Sequence, residues 1–244
     1  MQSPDVDKRR LLKAFCCGGI ALGTASAAAW SHAAPSKKTA MTAEQALQAL
    51  KDGNERFLND APQTSVQSKE RRLEIARGQQ PFAVLVSCSD SRVPPELLFG
   101  RGLGELFIVR NAGNTVDTIA MGSIQYAVAE LGVPLIVVLG HERCGAVDAA
   151  LSVVEKNAIF PGSIGQMIEP IVPAVLKAQA SIKARDKVSR DGLLDAAVRH
   201  NVMRVVERLR TTEAMLAEPI RSGKLMIVGA RYDLDDGRVE FFDT

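Results

Sequence analysis

The sequence predicts an α/β fold with a mostly parallel central sheet, flanked by helices and ending in an antiparallel C-terminal edge strand. The main observation is a set of three apolar runs, which are residues 81–87, 134–140 and 225–230. Each run is rich in Val, Ile or Leu with little polar alternation, as in strands that are buried on both faces of a parallel sheet. Segments with helical spacing separate the runs, which is the order expected for helical crossovers between parallel strands.

The elements before the second run follow from capping and spacing patterns. Thr42 and Gln45 form a capping box, which predicts a first helix with Leu50 on its apolar side. A second, charged helix is predicted between about residues 68 and 77. Between the first two runs we predict a short helix, a short strand and a longer helix, at residues 94–98, 106–109 and 115–131. We place Ile119 on the buried side of the longer helix.

Helices dominate the second half of the chain. They are predicted at residues 145–154, 163–180 and 193–209. Pro170 and Pro173 weaken the second of these predictions, because proline removes a backbone donor from a helix interior. The third helix carries the strongest apolar stripe, with a period of 3.6 residues. A turn at residues 235–237 then returns residues 239–242 as the antiparallel edge strand.

The first 34 residues have the pattern of an export signal. A basic stretch at residues 8–13 precedes a segment of small and apolar residues, and Ser31 to Ala33 offers a cleavage site. The pair Arg9-Arg10 resembles a twin-arginine signal, which marks a bacterial protein exported after folding. We therefore expect a periplasmic protein with a signal at 1–34, a linker at 35–41 and one folded domain at 42–244. The segment is too rich in Ala, Gly and Ser for a stable membrane span, so we expect none after the signal is removed.

The charge of the chain argues against nucleic-acid binding. The formal net charge of +2 is carried by the first 33 residues. There, four basic residues outnumber two acidic ones: Lys8, Arg9, Arg10 and Lys13 against Asp5 and Asp7. The remaining chain is therefore about neutral and lacks the broad basic field that attracts nucleic acid.

Two short polar clusters follow the first two apolar runs, at the point where each predicted strand ends. They contain Cys88, Asp90 and Arg92 in the first cluster, and His141 and Cys144 in the second. The carboxyl ends of parallel strands line the crevice where ligands bind. Two thiols and an imidazole form a soft ligand set that suits zinc and leaves one position open. The alternative is a disulfide between the two cysteines, as in many exported proteins, but it gives no reason for the neighbouring histidine and charged pair.

Three motifs resemble those of the β-class carbonic anhydrases, at residues 88–93, 110–114 and 140–145. The resemblance runs from about Thr42 to the C-terminus. It implies that Cys88, His141 and Cys144 bind Zn²⁺, and that the protein catalyses the reversible hydration of carbon dioxide to bicarbonate and a proton.

The resemblance also implies roles for five further residues. Asp90, paired with Arg92, would orient the reactive oxygen for attack. In some relatives this carboxylate instead becomes an alternate fourth zinc ligand. Gln79 would donate a hydrogen bond to a substrate oxygen, while Phe107 and Tyr126 would line an apolar slot for carbon dioxide. The residues by themselves leave other interpretations open, since the two aromatic side chains also suit a plain core and the amide also suits a loop cap.

Two other functions remain compatible with the same motifs. One is a related hydrolase that acts on a sulfur analogue such as carbon disulfide, and the other is a zinc-stabilised binding protein without turnover. The resemblance further implies self-association as a dimer or tetramer, with the active site at a subunit interface. In that arrangement the predicted helix at 42–58 would clasp the neighbouring subunit.

Overall fold

A computed structural model describes residues 38–61, 67–182, 188–211 and 213–242 of the chain. The predicted export signal at 1–34 lies outside these residues and stays a prediction. Within the described ranges the helices are α1 (Ala43–Leu58), α2 (Lys69–Ile75), α3 (Pro95–Leu98), α4 (Thr118–Ala129), α5 (Gly145–Lys156), α6 (Gly162–Ile168), α7 (Val172–Ile182), α8 (Arg190–Thr211) and α9 (Ala214–Arg221). The strands are β1 (Ala83–Ser87), β2 (Leu106–Arg110), β3 (Leu135–His141), β4 (Met226–Tyr232) and β5 (Val239–Phe241). None of the described helices combines the length and hydropathy that a bilayer crossing requires.

The strands form one sheet in the order β2-β1-β3-β4-β5 within the described chain. The β1 strand pairs in parallel with β2 and β3, and β3 pairs in parallel with β4. The β5 strand runs antiparallel to β4 at the edge. The predicted fold class is therefore confirmed. Because Ser87 pairs with Leu139, the residues that follow β1 and β3 emerge side by side at the carboxyl edge of the sheet.

The helix boundaries follow the capping and proline patterns. Thr42 caps α1 through a complete capping box with Gln45, as predicted. The helix predicted at 163–180 is instead divided into α6 and α7 by a 3₁₀ turn at Glu169–Ile171. Pro170 explains this break, since it has no backbone N–H for an α-helical hydrogen bond. Helix α9, a short helix that contains Pro219, was not predicted from the sequence.

One helical face was predicted wrongly. Ile119 lies on α4, but its side chain is 79% exposed instead of buried. The buried side of α4 is formed by Ala120, Met121, Ile124 and Ala127. The helix begins at Thr118, and each residue advances about 100° around it, so Ile119 lies on the same side as the partly exposed Tyr126, away from the buried stripe.

The core has a layer on each side of the sheet. One layer is packed by α4, α8 and α9 against the side that includes Val84, Val86, Ile136 and Val138. The other is packed by α1 and α3 against the side that includes Leu85, Leu135, Val137 and Leu139. A third apolar cluster, built mainly from α5, α7 and α8, encloses Cys88 and Cys144 beyond the ends of the strands.

Asn54 ties α1 to the C-terminal hairpin. Its side chain is 3% exposed, and its Nδ2 donates to the carbonyl oxygens of Gly237 at 3.0 Å and of Leu98 at 3.4 Å. Its Oδ1 accepts a 2.8 Å hydrogen bond from the backbone N–H of Val239. A single buried amide therefore satisfies three backbone groups that no apolar side chain could satisfy.

We predict that Asn54→Leu lowers the free energy of unfolding by about 3 kcal/mol, because it leaves buried backbone groups unpaired. Denaturant unfolding followed by circular dichroism measures this change. Glu55→Gln is the matched control on the same helix: its carboxylate is exposed and lies 3.7 Å from Arg238, so its loss costs less than about 1 kcal/mol. An unfolding midpoint for Asn54→Leu equal to that of the control would contradict this role.

Candidate metal centre

The three predicted metal ligands meet at the carboxyl edge of the sheet. Cys88 directly follows β1, His141 is the last residue of β3, and Cys144 is the N-cap residue of α5. All three are buried, with 4%, 0% and 1% of their surface exposed, respectively. Their ligand atoms all lie within 4.8 Å of one another. The structure thus brings together the set that the sequence predicted.

A left-handed residue closes the loop between two of these ligands. Arg143 has φ of 51°, a conformation that L residues other than glycine adopt rarely. Its guanidinium donates to both carboxylate oxygens of Asp235, at 2.6 and 2.9 Å. The loop that carries His141 and Cys144 is therefore held against the turn before β5, in a conformation that its backbone alone does not favour.

The hydrogen bonding of His141 leaves one ring nitrogen for a ligand. Its Nδ1 lies 2.8 Å from the carbonyl oxygen of Glu142, and because a carbonyl only accepts, Nδ1 carries the proton. Nε2 therefore presents a lone pair. This atom is buried and has no hydrogen-bond partner among the described residues, since the nearest carboxylate oxygen, Oδ2 of Asp90, lies 3.9 Å away. An orphaned imidazole nitrogen beside two thiols fits a zinc ion.

The two cysteines are free thiols whose pKa values are shifted in opposite directions. A hydrogen bond from Cys144 lowers the pKa of Cys88, although burial opposes the shift. The same hydrogen bond raises the pKa of Cys144, and burial adds to this effect. One thiolate is therefore readily formed, whereas a second one needs a cation to balance its charge. This behaviour suits a metal site, and the structure offers no support for the alternative disulfide.

Asp90 and Arg92 form a close ion pair beside the three ligands. The Arg92 guanidinium donates to Oδ1 of Asp90 at 3.0 Å and to Oδ2 at 2.8 Å, and the Arg92 backbone N–H also donates to Oδ1 at 3.0 Å. These bonds hold the pKa of Asp90 well below its usual range, although partial burial opposes them. The side chain of Asp90 is 19% exposed while that of Arg92 is 53% exposed. Asp90 is therefore an ionised acceptor at the mouth of the site, engaged by arginine.

Two residues that sequence reasoning left without a role hold the first ligand loop in place. Arg110, at the end of β2, donates to the carbonyl oxygens of Cys88 at 2.8 Å and of Asp90 at 2.6 Å. Gly113 donates its backbone N–H to Sγ of Cys88 at 3.3 Å. Both belong to the motif at residues 110–114, so the sequence did single out this segment. Only the folded structure shows that its residues contact the first ligand loop.

The three predicted pocket residues lie elsewhere in the single chain. Phe107 pairs with Val84 in the sheet, which places it four strand residues, or about 13 Å, before Cys88. Tyr126 packs on Phe107, with a ring-centroid distance of 6.4 Å and 41% of its surface exposed. Gln79 is exposed and precedes β1, at the end of the sheet opposite the metal ligands. Edge strand β2 and helix α4 thus carry the two aromatic residues at a distance from this chain's own ligand cluster.

The family of the chain follows from its similarity to known proteins. The family model described as carbonic anhydrase matches residues 83–239. The chain is 43% identical over 198 residues to Carbonic anhydrase 2 of Mycobacterium tuberculosis, covering 81% of this chain and 92% of that protein. It is 40% identical over 195 residues to Carbonic anhydrase of Mycolicibacterium smegmatis, covering 80% of this chain and 91% of that protein.

Solved structures support the same assignment. The chain resembles a tetrameric β-carbonic anhydrase of the filamentous ascomycete Sordaria macrospora with a TM-score of 0.66 and 26% identity, covering 73% of this chain and 88% of that one. It also resembles the β-carbonic anhydrase of Coccomyxa with a TM-score of 0.63 and 26% identity, covering 80% and 85% of the two chains. On its sequence relatives, its sheet and its cysteine–histidine cluster, the chain belongs to the β-class carbonic anhydrases.

Proposed function

We propose that this protein is a zinc enzyme that catalyses the reversible hydration of carbon dioxide to bicarbonate and a proton. The observation that carries the proposal is the convergence of Cys88, His141 and Cys144, with a buried ring nitrogen that lacks a hydrogen-bond partner in the described chain. Family membership supports the reaction, and the soft donor set supports the choice of zinc.

The three ligands would hold the ion through two sulfur atoms and one imidazole nitrogen. When bound, zinc supplies a Lewis acid that makes water nucleophilic near neutral pH. The protein fixes the imidazole through the Glu142 carbonyl, which keeps the proton on Nδ1 and Nε2 free. Apolar residues of α5, α7 and α8 surround the sulfur atoms and exclude bulk water from their side of the site.

Asp90 is the residue that orients the attacking oxygen. Its carboxylate remains ionised because Arg92 binds both of its oxygens, so it accepts a hydrogen bond and does not compete as a donor. Its Oδ2 lies 3.9 Å from Nε2 of His141, close to the ligand cluster without overlapping it. In this arrangement arginine retains the carboxylate, which favours the orienting role over the alternate role as a zinc ligand.

A second copy of the chain completes the substrate pocket in this proposal. Phe107 and Tyr126 lie on edge strand β2 and helix α4, away from the chain's own ligands, and Tyr126 is partly exposed. In a twofold-symmetric dimer the same surface patch of both subunits meets, so each copy would offer these side chains to the site of the other. The carbonic anhydrases of Sordaria macrospora, which share the fold, are described as tetrameric.

We predict that the purified protein contains one zinc ion per chain and hydrates carbon dioxide. Removing the metal with a chelator should abolish activity, because the sulfur and imidazole donors alone cannot activate water. Metal analysis and a stopped-flow pH-indicator assay on the same preparation measure both quantities. Carbon disulfide is the control substrate. Turnover of carbon disulfide alone would show the hydrolase instead, and bound zinc without turnover of either substrate would show a binding protein.

We predict that Asp90→Asn lowers kcat at least about 100-fold while zinc content stays unchanged, because the amide can present its N–H₂ group where an acceptor is needed. Stopped-flow rates at matched zinc occupancy measure the effect. Glu240→Gln is the matched control, since Glu240 accepts two hydrogen bonds from Arg199 at 2.9 and 2.6 Å and has no contact with the ligand cluster. Near-normal hydration by Asp90→Asn would remove the orienting role.

We predict that two inactive variants restore activity when they are co-expressed. Cys144→Ser lacks a metal ligand, and Phe107→Ala lacks the apolar slot. If the slot comes from a second copy, random pairing leaves about a quarter of the sites intact, since half of the dimers are mixed and each contains one complete site.

The control is co-expression of Cys144→Ser with Cys88→Ala. Both substitutions lie in the ligand cluster of one chain, so no mixed dimer contains a complete site. Activity per chain in the first mixture no higher than in this control would show that each pocket is built within a single chain.

A further inference from the structure

We propose that Asn201 is a positioning residue for the metal centre, acting through Gly113 on the sulfur of Cys88. This inference rests on the proposed zinc function, because it concerns how the thiolate ligand is held. Asn201 lies on α8, far from the ligands in sequence, and none of the motifs that identified the site includes it. The amide forms the first of two hydrogen bonds that lead from the helix to the metal ligand.

The two hydrogen bonds meet at one residue. Nδ2 of Asn201 donates to the carbonyl oxygen of Gly113 at 2.8 Å. The backbone N–H of Gly113 in turn donates to Sγ of Cys88 at 3.3 Å. These bonds engage the two peptide groups on either side of the Gly113 α-carbon, so together they fix the direction in which its N–H points. A shift of the carbonyl away from Asn201 would rotate the donor away from the sulfur.

Gly113 cannot hold this geometry by itself. Its φ of +73° lies in the left-handed region, where glycine also has many alternative conformations in the absence of a restraint. A Cβ atom at this position would lie 2.6 Å from Cδ1 of Ile171 and 3.1 Å from Cβ of Ala146, so no other residue fits without displacement. Glycine is the most flexible residue type, yet here the direction of its N–H must be fixed. The restraint on the Gly113 backbone therefore comes from outside the turn.

Asn201 is well placed to supply that restraint. It is 1% exposed and lies on the buried side of α8, between Val198 and Val205 in the apolar stripe. The orientation of its amide is unambiguous, because a carbonyl oxygen can only accept and must face the Nδ2 group. A long helix packed against the sheet is a rigid support. The amide therefore holds the turn at Ala112–Asn114 in a fixed position relative to α8.

The hydrogen bond to sulfur has a chemical consequence. An N–H group that donates to a thiolate withdraws electron density from the sulfur and fixes its lone pairs relative to the metal. Residues that orient metal ligands in this way typically alter metal affinity about 10- to 100-fold when they are replaced. Asn201 should therefore change properties of the metal–sulfur bond, which a residue that only stabilises the fold would leave unchanged.

The experiment compares the wild-type chain with Asn201→Ala and Asn201→Leu, the second of which keeps the branched shape of the side chain and removes the amide that donates to Gly113. Competition with a chelator measures zinc affinity, which we expect to fall about 10-fold or more in both variants. Cobalt substitution provides the second readout. Loss of the N–H donor should shift the thiolate-to-cobalt charge-transfer band to lower energy, because the sulfur becomes more electron-rich.

Val205→Ala is the matched control. Val205 is a buried residue of the same helix, packs in the layer against the sheet, and has no side-chain group that could donate a hydrogen bond to Gly113. We expect this variant to lose stability while its zinc affinity and cobalt spectrum remain those of the wild type. Asn201 variants that match Val205→Ala in both metal readouts would overturn the inference. A wild-type chain that takes up no zinc would instead overturn the proposed function.

A measurement on the unaltered protein keeps the inference testable even if both Asn201 variants fail to fold. In protein loaded with an NMR-active cadmium isotope, the Gly113 amide proton should couple to the metal through the hydrogen-bonded sulfur. The Gly113 amide should also exchange slowly with solvent. A Gly113 proton without coupling and with fast exchange would show that the donor is not held on Cys88, and the inference would be wrong.

Discussion

The main constraint on this structure is that three soft metal-binding side chains are buried together at the carboxyl edge of the sheet. Cys88, His141 and Cys144 are all almost completely buried, and apolar side chains surround the sulfurs. Two thiolates in such surroundings repel each other and lose hydration, which is costly unless a cation balances them. The buried ligand set is therefore unfavourable without a metal ion, and it favours binding of one. Binding of a metal ion would add its free energy to the fold that assembles the ligands.

Residues from three separate parts of the chain hold the metal ligands in position. Arg110 fixes the backbone after β1, and Arg143 is held in a left-handed conformation by Asp235 near the C-terminus. Glu142 sets the tautomer of the histidine. Arg110 and Asp235 reach the ligand loops from other elements, so tertiary structure determines the ligand positions, whereas Glu142 acts within its own loop. Loops with such restraints lose little conformational freedom on metal binding, which favours tight binding.

The ligands and the sheet could be predicted from the sequence, but the residues that hold the ligands in place could not. Continuous apolar runs predict buried parallel strands, and polar residues at their ends predict a site, because both patterns are local. Asn201 shows why the rest could not be predicted in the same way. It occupies an inward position of the α8 stripe, one turn before Val205, and a polar residue there does signal a buried hydrogen bond. Its partner, the Gly113 carbonyl, is 88 residues away in the chain, and only the folded structure identifies it.

The location of Phe107 and Tyr126 shows a different limit of prediction from a single sequence. The rings of Phe107 and Tyr126 pack together, and the resemblance that assigned them to a substrate pocket also implied an active site at a subunit interface. A sequence describes one chain, whereas this pocket is proposed to need two. The exposed side of α4, with Ile119 at 79% and Tyr126 at 41% exposure, lies near edge strand β2, whose outer backbone groups have no strand partner in the described chain. Exposed apolar side chains and an open strand edge are each unfavourable in water, and one contact between two copies would cover both. In the proposed dimer, the contact that removes these exposed surfaces would also create the substrate slot, and assembly of the protein would then be required for its catalytic activity.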